Sequence, residues 1–140
     1  MTPYDDPTIM DDHWLIRRIS ECQVVNDPKV PEGRRISSLA FNRSSEPNGG
    51  MSVDLQNAIE QAGLDARTYV TTQRWLGSIR FQAGRVRRQE FQVGASPIVG
   101  RDDIEDNPYH GEIWGTFNRR QQKALRQMSE WFVRINGVAI

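Results

Sequence analysis

The chain has 140 residues, of which 37% are hydrophobic and 26% are charged. This size and composition are typical of one globular domain and exclude a largely disordered chain. The 18 basic and 18 acidic side chains cancel, which argues against non-specific binding of nucleic acid, because that binding depends on many phosphate contacts. No segment approaches the ~20 consecutive apolar residues of a membrane span, so we expect no membrane association.

The N-terminal segment, residues 1–12, contains two prolines and four aspartates. It lacks the apolar stretch of a secretion signal, and we predict that it forms a loose acidic arm ahead of a single α+β domain over residues 13–140. Cys22 is the only cysteine and has no partner for an internal disulfide, which favours a reducing compartment and a cytoplasmic location. We expect Cys22 to be a small buried residue and not a nucleophile.

The first half of the chain predicts a strand edge over 22–25, one further strand, one helix and one stretch of undecided conformation. Residues 13–19 are apolar enough for a strand or a helical turn, and the stretch is too short for periodicity to decide. Residues 35–41 are predicted to form a strand, and residues 42–50 are predicted to form an exposed loop, since they are rich in Ser, Pro, Asn and Gly. A helix is predicted over 53–62, with Ser52 or Asp54 as its N-cap.

The second half predicts short strands and a long final helix. Residues 78–82, 91–95 and 110–117 have strand-like patterns, and residues 83–89 fit a helical turn. The final helix is predicted over 119–133, because its apolar residues form one continuous stripe: Ala124, Leu125, Met128, Trp131 and Phe132. This order of elements predicts an α+β fold, in which a small, mostly antiparallel sheet carries helices on one face and the chain ends in an amphipathic helix.

Neither a metal site nor a cofactor is predicted. The chain has two histidines and one cysteine, without the spacing of a zinc site. Gly49 and Gly50 precede the predicted helix, but the stretch lacks the lysine and spacing of a phosphate-binding loop and lacks a dinucleotide fingerprint.

A scattered polar set suggests an enzyme. These residues occur along the chain in the order His13 or Arg17, then Ser37 and Ser38, then a late His-x-Glu pair. This order resembles that of ADP-ribosyltransferases. In that family a His or Arg, a strand serine and a late glutamate hold a nicotinamide nucleotide and stabilise an oxocarbenium-like transition state. The resemblance implies five catalytic candidates: His13, Arg17, Ser38, His110 and Glu112.

Two further groups of residues are candidates for binding. If the loops 42–50 and 97–109 lie at one end of the fold, they would frame a cleft that holds Ser37, Ser38, Ser52, Asp54, His110 and Glu112. The final helix carries basic side chains on one face, and the basic run 85–88 would extend this surface. Nucleic acid is a possible ligand, but a solvated helix face is favoured, because the aromatic residues belong to the core stripe. The basic residues are Arg119, Arg120, Lys123 and Arg126.

Short motifs along the chain resemble a widespread set of small bacterial proteins. Residues 35–41 read R-x-S-S-x-x-F, and Met51-Ser-Val-Asp54 follows after a Ser-rich loop. Ala83-Gly-Arg-Val-Arg87 approximates an A-G-x-x-R turn, and Asn107-Pro-Tyr-His110 matches N-P-x-H. The resemblance implies a bacterial cytosolic protein, and it implies no reaction because that set has no assigned activity.

These observations favour a non-catalytic binding or accessory protein that acts through a protein partner, in a setting such as a defence or toxin-like operon. Runs of both charge signs suit electrostatic docking of a partner. The alternative is a small enzyme that acts on a nucleotide or nucleic acid, either an ADP-ribosyltransferase-like protein or a nuclease toxin.

Overall fold

A computed structural model describes residues 2–44 and 49–140; part of the predicted loop 42–50 lies outside these ranges. The strands are β1 Trp14–Ser20, β2 Val24–Asn26, β3 Arg34–Ile36, β4 Met51–Leu55, β5 Trp75–Gln82, β6 Gln92–Ala95, β7 His110–Trp114 and β8 Glu130–Val133. The helices are α1 Gln56–Gln61, α2 Ala66–Val70, α3 Ala83–Arg87 and α4 Arg119–Met128, and two 3-10 helices cover Glu21–Gln23 and Ser38–Phe41.

Six strands form one antiparallel sheet in the order β6-β7-β4-β1-β5-β8, and β2 pairs with β3 in a separate ribbon. The predicted α+β class and antiparallel sheet are therefore confirmed. Successive side chains of a strand point to opposite faces of the sheet. Leu15 belongs to the larger core with Phe41, Phe81 and Leu125, and Ile16 belongs to a smaller cluster on the other face.

The smaller cluster draws its apolar residues from α1, α2 and β8: Ile59, Ala66, Val70 and Phe132. The 3-10 helix Ser38–Phe41 and α4 supply residues to the larger core. Helices thus lie on both faces of the sheet, where the sequence analysis expected one. In the described part of the chain, no helix is both long enough and apolar enough to cross a membrane.

Residues 35–41 are not one strand. Pairing with β2 ends at Ile36, and the backbone then turns into the 3-10 helix Ser38–Phe41, whose start is capped by the Ser37 hydroxyl accepting from the Leu39 amide. A serine side chain that bonds its own backbone two residues on competes with strand pairing. This turn buries Phe41 and leaves Leu39 72% exposed.

The predicted helix over 53–62 begins late. Met51–Leu55 pairs with β1 on one side and β7 on the other, so its backbone groups are satisfied in the sheet and only Gln56–Gln61 is helical. Neither Ser52 nor Asp54 is an N-cap, because both lie within β4. The alternation of Met51, Val53 and Leu55 with polar residues is the pattern of a strand, and helix-like spacing begins only at Leu55.

The final helix begins as predicted, with the Asn118 side chain accepting from the Gln121 amide, but it ends at Met128. Ser129 adopts an extended conformation, and Trp131 and Phe132 lie on β8, which pairs with β5. The apolar stripe therefore divides between a helix and an edge strand. Cys22 is exposed, contrary to expectation, because it lies in the 3-10 turn that leaves β1.

Candidate functional site

The sheet separates the five catalytic candidates. Arg17 and the core residue Leu15 are two residues apart on β1, so their side chains point to the same face of the sheet. The Arg17 Nε donates to the carbonyl of Ala40, 3.0 Å away, in the 3-10 helix that contains Ser38. Asp54, the cross-strand neighbour of His110, pairs with Ile16 and so belongs to the opposite face. Arg17 and Ser38 therefore lie on one side of the sheet, and His110 and Glu112 lie on the other.

His13 lies outside the strands and the 3-10 helix that carry the other candidates. It precedes β1, and its Nδ1 accepts from the Met10 amide, 3.2 Å away, in the turn that connects the arm to the sheet. The structure does not bring the His or Arg, Ser and Glu of the ADP-ribosyltransferase-like order into one site.

Arg17 is a buried cation that holds the backbone together. It is 9% exposed, and its Nη1 donates to the Ser44 hydroxyl and to the Ser52 carbonyl. Burial lowers the pKa of this guanidinium to about 10, against the opposing effect of Asp54, so it remains charged at neutral pH. These bonds join β1, β4 and the 3-10 helix Ser38–Phe41, which is a structural role.

Part of the predicted cleft does assemble on the face opposite Arg17. His110 pairs with Asp54, and Glu112 pairs with Ser52, so these four side chains are neighbours. Ser37 and Ser38 lie on the other side of the sheet. The predicted set of six is thus reduced to four.

Three of these four side chains, those of Asp54, His110 and Glu112, are engaged in structural bonds. The Asp54 carboxylate accepts from Arg18 Nε at 2.8 Å and from Arg18 Nη2 at 3.0 Å, and Asn107 Nδ2 donates to it at 2.8 Å. His110 Nδ1 lies 2.7 Å from the Ser96 carbonyl oxygen. Glu112 accepts from the Gly50 amide at 3.2 Å.

Tyr69 completes this network from α2. Its hydroxyl donates to Asn107 Oδ1 at 2.8 Å, and burial, followed by the charge of Asp54, raises the pKa of its phenol. The network ties β1 and β4 to α2 and to the loop before β7. These hydrogen bonds stabilise the conformation of this end of the sheet, which is a structural role.

The basic face of α4 is smaller than predicted. Arg126 donates from Nη1 to the Ile36 carbonyl at 3.0 Å and lies 4.7 Å from the centre of the Phe41 ring, and burial lowers its pKa. Arg87 of α3 is bound by Asp5 and Asp11 of the arm. Both arginines therefore bind groups of the chain itself.

Two basic residues of the run 85–88 line a shallow depression between α3 and α4, of about 170 Å³. Arg85, Arg88 and Gln89 line one side, and Ala124, Gln127 and Met128 line the other. Lys123 lies one turn before Gln127 on α4, and Arg120 lies one turn before Ala124, at the helical spacing that places side chains on one face. We call this surface the basic depression; its four cations are Arg85, Arg88, Arg120 and Lys123, and all are exposed.

The four cations have no carboxylate partner among residues 2–44 and 49–140. Six other arginines do pair with carboxylates: Arg18, Arg34, Arg35, Arg80, Arg87 and Arg101. The run 85–88 was predicted to extend the helix surface as a whole, but Arg87 is separated from its neighbours by its contacts with the arm. The spacing of Arg85, Arg88 and Gln89 on a helix would have indicated which of them share a face.

Over the described ranges, no group of three or more His, Cys, Asp or Glu side chains could hold a metal ion. No protein-family model, curated protein or solved structure matches the chain.

Proposed function

We propose that the chain is a non-catalytic binding protein that holds an acidic segment of a protein partner in the basic depression. The observation that carries this proposal is a concave surface lined by Arg85 and Arg88, with Lys123 and Arg120 one helical turn before its α4 lining residues. All four cations are exposed, and none pairs with a carboxylate of the described residues. Like charges held together repel one another, and an anionic ligand relieves that repulsion. The amides of Gln89 and Gln127 add hydrogen-bond donors beside the cations.

Two features favour an acidic peptide over nucleic acid. The residues that line the basic depression include no aromatic side chain, so bases would have nothing to stack on, whereas Ala124 and Met128 offer an apolar contact to a peptide side chain. In addition, the adjacent Arg87 binds two carboxylates of the chain's own arm, at 3.0 Å and 2.8 Å. One guanidinium group of α3, that of Arg87, thus already binds an acidic segment.

Binding can be measured by the fluorescence anisotropy of a labelled peptide made of alternating Asp and Glu around one central Leu. The wild-type protein is expected to bind this peptide, and the affinity is expected to fall as salt rises, because the cations are exposed and screened. The double variant Arg85→Glu/Arg88→Glu should bind at least tenfold more weakly, since it inverts two of the four charges.

The matched control is Arg74→Glu/Arg134→Glu, which changes the net charge equally at two exposed arginines that lie over Trp75 and Trp131. It should retain most of the affinity. An equal loss in both variants would contradict a defined site. Tighter binding of a single-stranded oligonucleotide of the same charge than of the peptide would overturn the choice of a protein ligand.

The cytoplasm is part of this proposal. Cys22 is exposed and free, and an exposed free thiol persists in a reducing compartment. We also propose that the protein is encoded in a defence- or toxin-like operon. The identity of the adjacent genes would test this.

A further inference from the structure

The acidic arm lies along the outer edge of β6. The sequence analysis predicted a loose segment, and in the structure residues 2–12 form no helix or strand but are held by specific contacts. The Asp6 amide donates to the Val93 carbonyl at 2.8 Å, and the Val93 amide donates to the Asp5 carboxylate at 3.0 Å. The Tyr4 hydroxyl donates to the Ala95 carbonyl at 2.7 Å. These are outward-facing backbone groups of an edge strand, and the arm satisfies them.

Such an edge is a template for an added strand. An exposed edge presents unpaired N–H and C=O groups, and extended peptides bind to edges of this kind through main-chain hydrogen bonds. Here one bond is backbone to backbone, and the Asp5 carboxylate takes the place of a strand carbonyl. The arm therefore occupies the β6 edge as a peptide ligand would.

Arg87 binds two acidic side chains of the arm. Its Nε bonds the Asp5 carboxylate, its Nη1 bonds the Asp11 carboxylate, and its Nη2 donates to the Asp6 carbonyl at 3.0 Å. One guanidinium thus contacts three residues of one extended segment. This pattern is specific to a chain that carries carboxylates at these positions.

Tyr4 and Ile9 anchor the arm at two apolar points. The Tyr4 ring lies 5.7 Å from that of Trp114, over Gly94, where a Cβ would come within 2.7 Å of both rings. Ile9 is 5% exposed and belongs to the larger core. The residues between them are mostly exposed, so the part from Tyr4 to Asp6 can leave while Ile9 remains buried.

From these contacts we infer that the β6 edge and Arg87 form a docking site for an extended acidic segment of a protein partner, and that the arm occupies this site in the free protein. The partner segment carries an aromatic residue followed by two acidic residues, as Tyr4-Asp5-Asp6 does. A tethered segment has an effective concentration of the order of millimolar, so a weakly binding arm keeps the edge closed until a partner competes. This site does not depend on the basic depression, because Arg87 faces the arm.

The test uses the full chain with Tyr4→Ala/Asp5→Ala, which weakens the arm and leaves Ile9 in place. The probe is a labelled peptide of residues 1–8, and its control is the same peptide with the two alanines. The variant is expected to bind the probe at least tenfold more tightly than the intact protein, and the control peptide should bind neither. Adding Arg87→Glu to the variant should abolish binding.

Hydrogen exchange at the Val93 amide locates the binding. This amide donates to Asp5 in the intact protein, so its exchange should accelerate at least tenfold in the variant and slow again when the probe is added. Val93 exchange that does not respond to millimolar probe would overturn the proposal, as would equal affinity of the intact and variant proteins. Either result leaves binding at the basic depression unaffected, since Arg85 and Arg88 are unchanged in this experiment.

Discussion

Replacing Asp54 with alanine is expected to lower the free energy of unfolding by about 3–5 kcal/mol, the usual result of removing one partner of a buried ion pair. Asp54 is 4% exposed and accepts three hydrogen bonds, two from Arg18 and one from Asn107. Its loss leaves the Arg18 guanidinium without its counter-charge and frees the Asn107 amide that holds Tyr69. Urea unfolding followed by tryptophan fluorescence measures the effect.

Two comparisons isolate the cause. Asp103→Ala removes an exposed carboxylate from its pair with Arg101, and it should leave the urea midpoint unchanged, because solvent screens such pairs. Asp54→Ala/Arg18→Met should recover part of the lost stability, since it removes the unpaired charge as well. Similar small effects for Asp54→Ala and Asp103→Ala would contradict the network described above.

Phe41→Ala is expected to cost about 3–5 kcal/mol, as large-to-small changes of buried aromatic residues do. Phe41 is fully buried, its ring lies 6.3 Å from that of Phe81, and Arg126 covers one side of it. The truncation would leave a cavity between the sheet and α4. The same urea experiment measures this loss.

Leu39→Ala is the matched control, because Leu39 belongs to the same 3-10 helix but is largely exposed. Its effect should stay within about 0.5 kcal/mol, as for ordinary surface substitutions. In a strand over 35–41, by contrast, residues 39 and 41 would share one face and be buried together. A large effect of Leu39→Ala would therefore support the strand that the sequence predicted and contradict the 3-10 helix.

Local patterns sufficed where an element is defined by its own residues. The α+β class, the antiparallel sheet, the helical turn at α3 and the capped start of α4 were all predicted. Each depends on a signal within a few residues, such as the alternation of Ile79 and Phe81 in β5 or the Asn118 cap. The structure contains these elements because the packing of the core is compatible with the local preferences of their residues.

Prediction was wrong where long-range pairing decides the conformation. The helix-like spacing of Leu55, Ala58, Ile59 and Ala62 was extended back to residue 53. Met51–Leu55 is instead inserted between β1 and β7, so pairing on both sides holds it extended. Likewise, Trp131 and Phe132 continue the stripe of α4 in sequence, yet the edge of β5 is available to them after Ser129. Sequence alone does not tell which strand lies beside another.

The candidate site was predicted only in part, for a related reason. His110, Glu112, Ser52 and Asp54 were expected to be close together, and they are. The side chains of His110, Glu112 and Asp54, however, form hydrogen bonds within the fold. Arg17 points to the opposite face of the sheet from these residues. Which side chains of neighbouring strands share a face depends on the register between the strands, and the sequence does not give that register. The basic depression requires α3 and α4 to be adjacent, although they are separated by more than thirty residues in sequence.

The basic depression and the β6 edge together give α3 two functions. Arg87 faces the arm, and Arg85 and Arg88 face α4, so one short helix presents cations in two directions. An acidic partner could contact both surfaces, and the two proposals remain separable because their arginines differ.

The central claim is that an acidic segment binds between α3 and α4, and amide chemical-shift mapping tests it most directly. The isotope-labelled protein would be titrated with the Asp/Glu peptide at low salt. We predict saturable shifts concentrated at residues 85–89 and 120–128, with the arm and the surroundings of His110 unaffected. Shifts that are absent, that do not saturate, or that concentrate elsewhere on the sheet would contradict it.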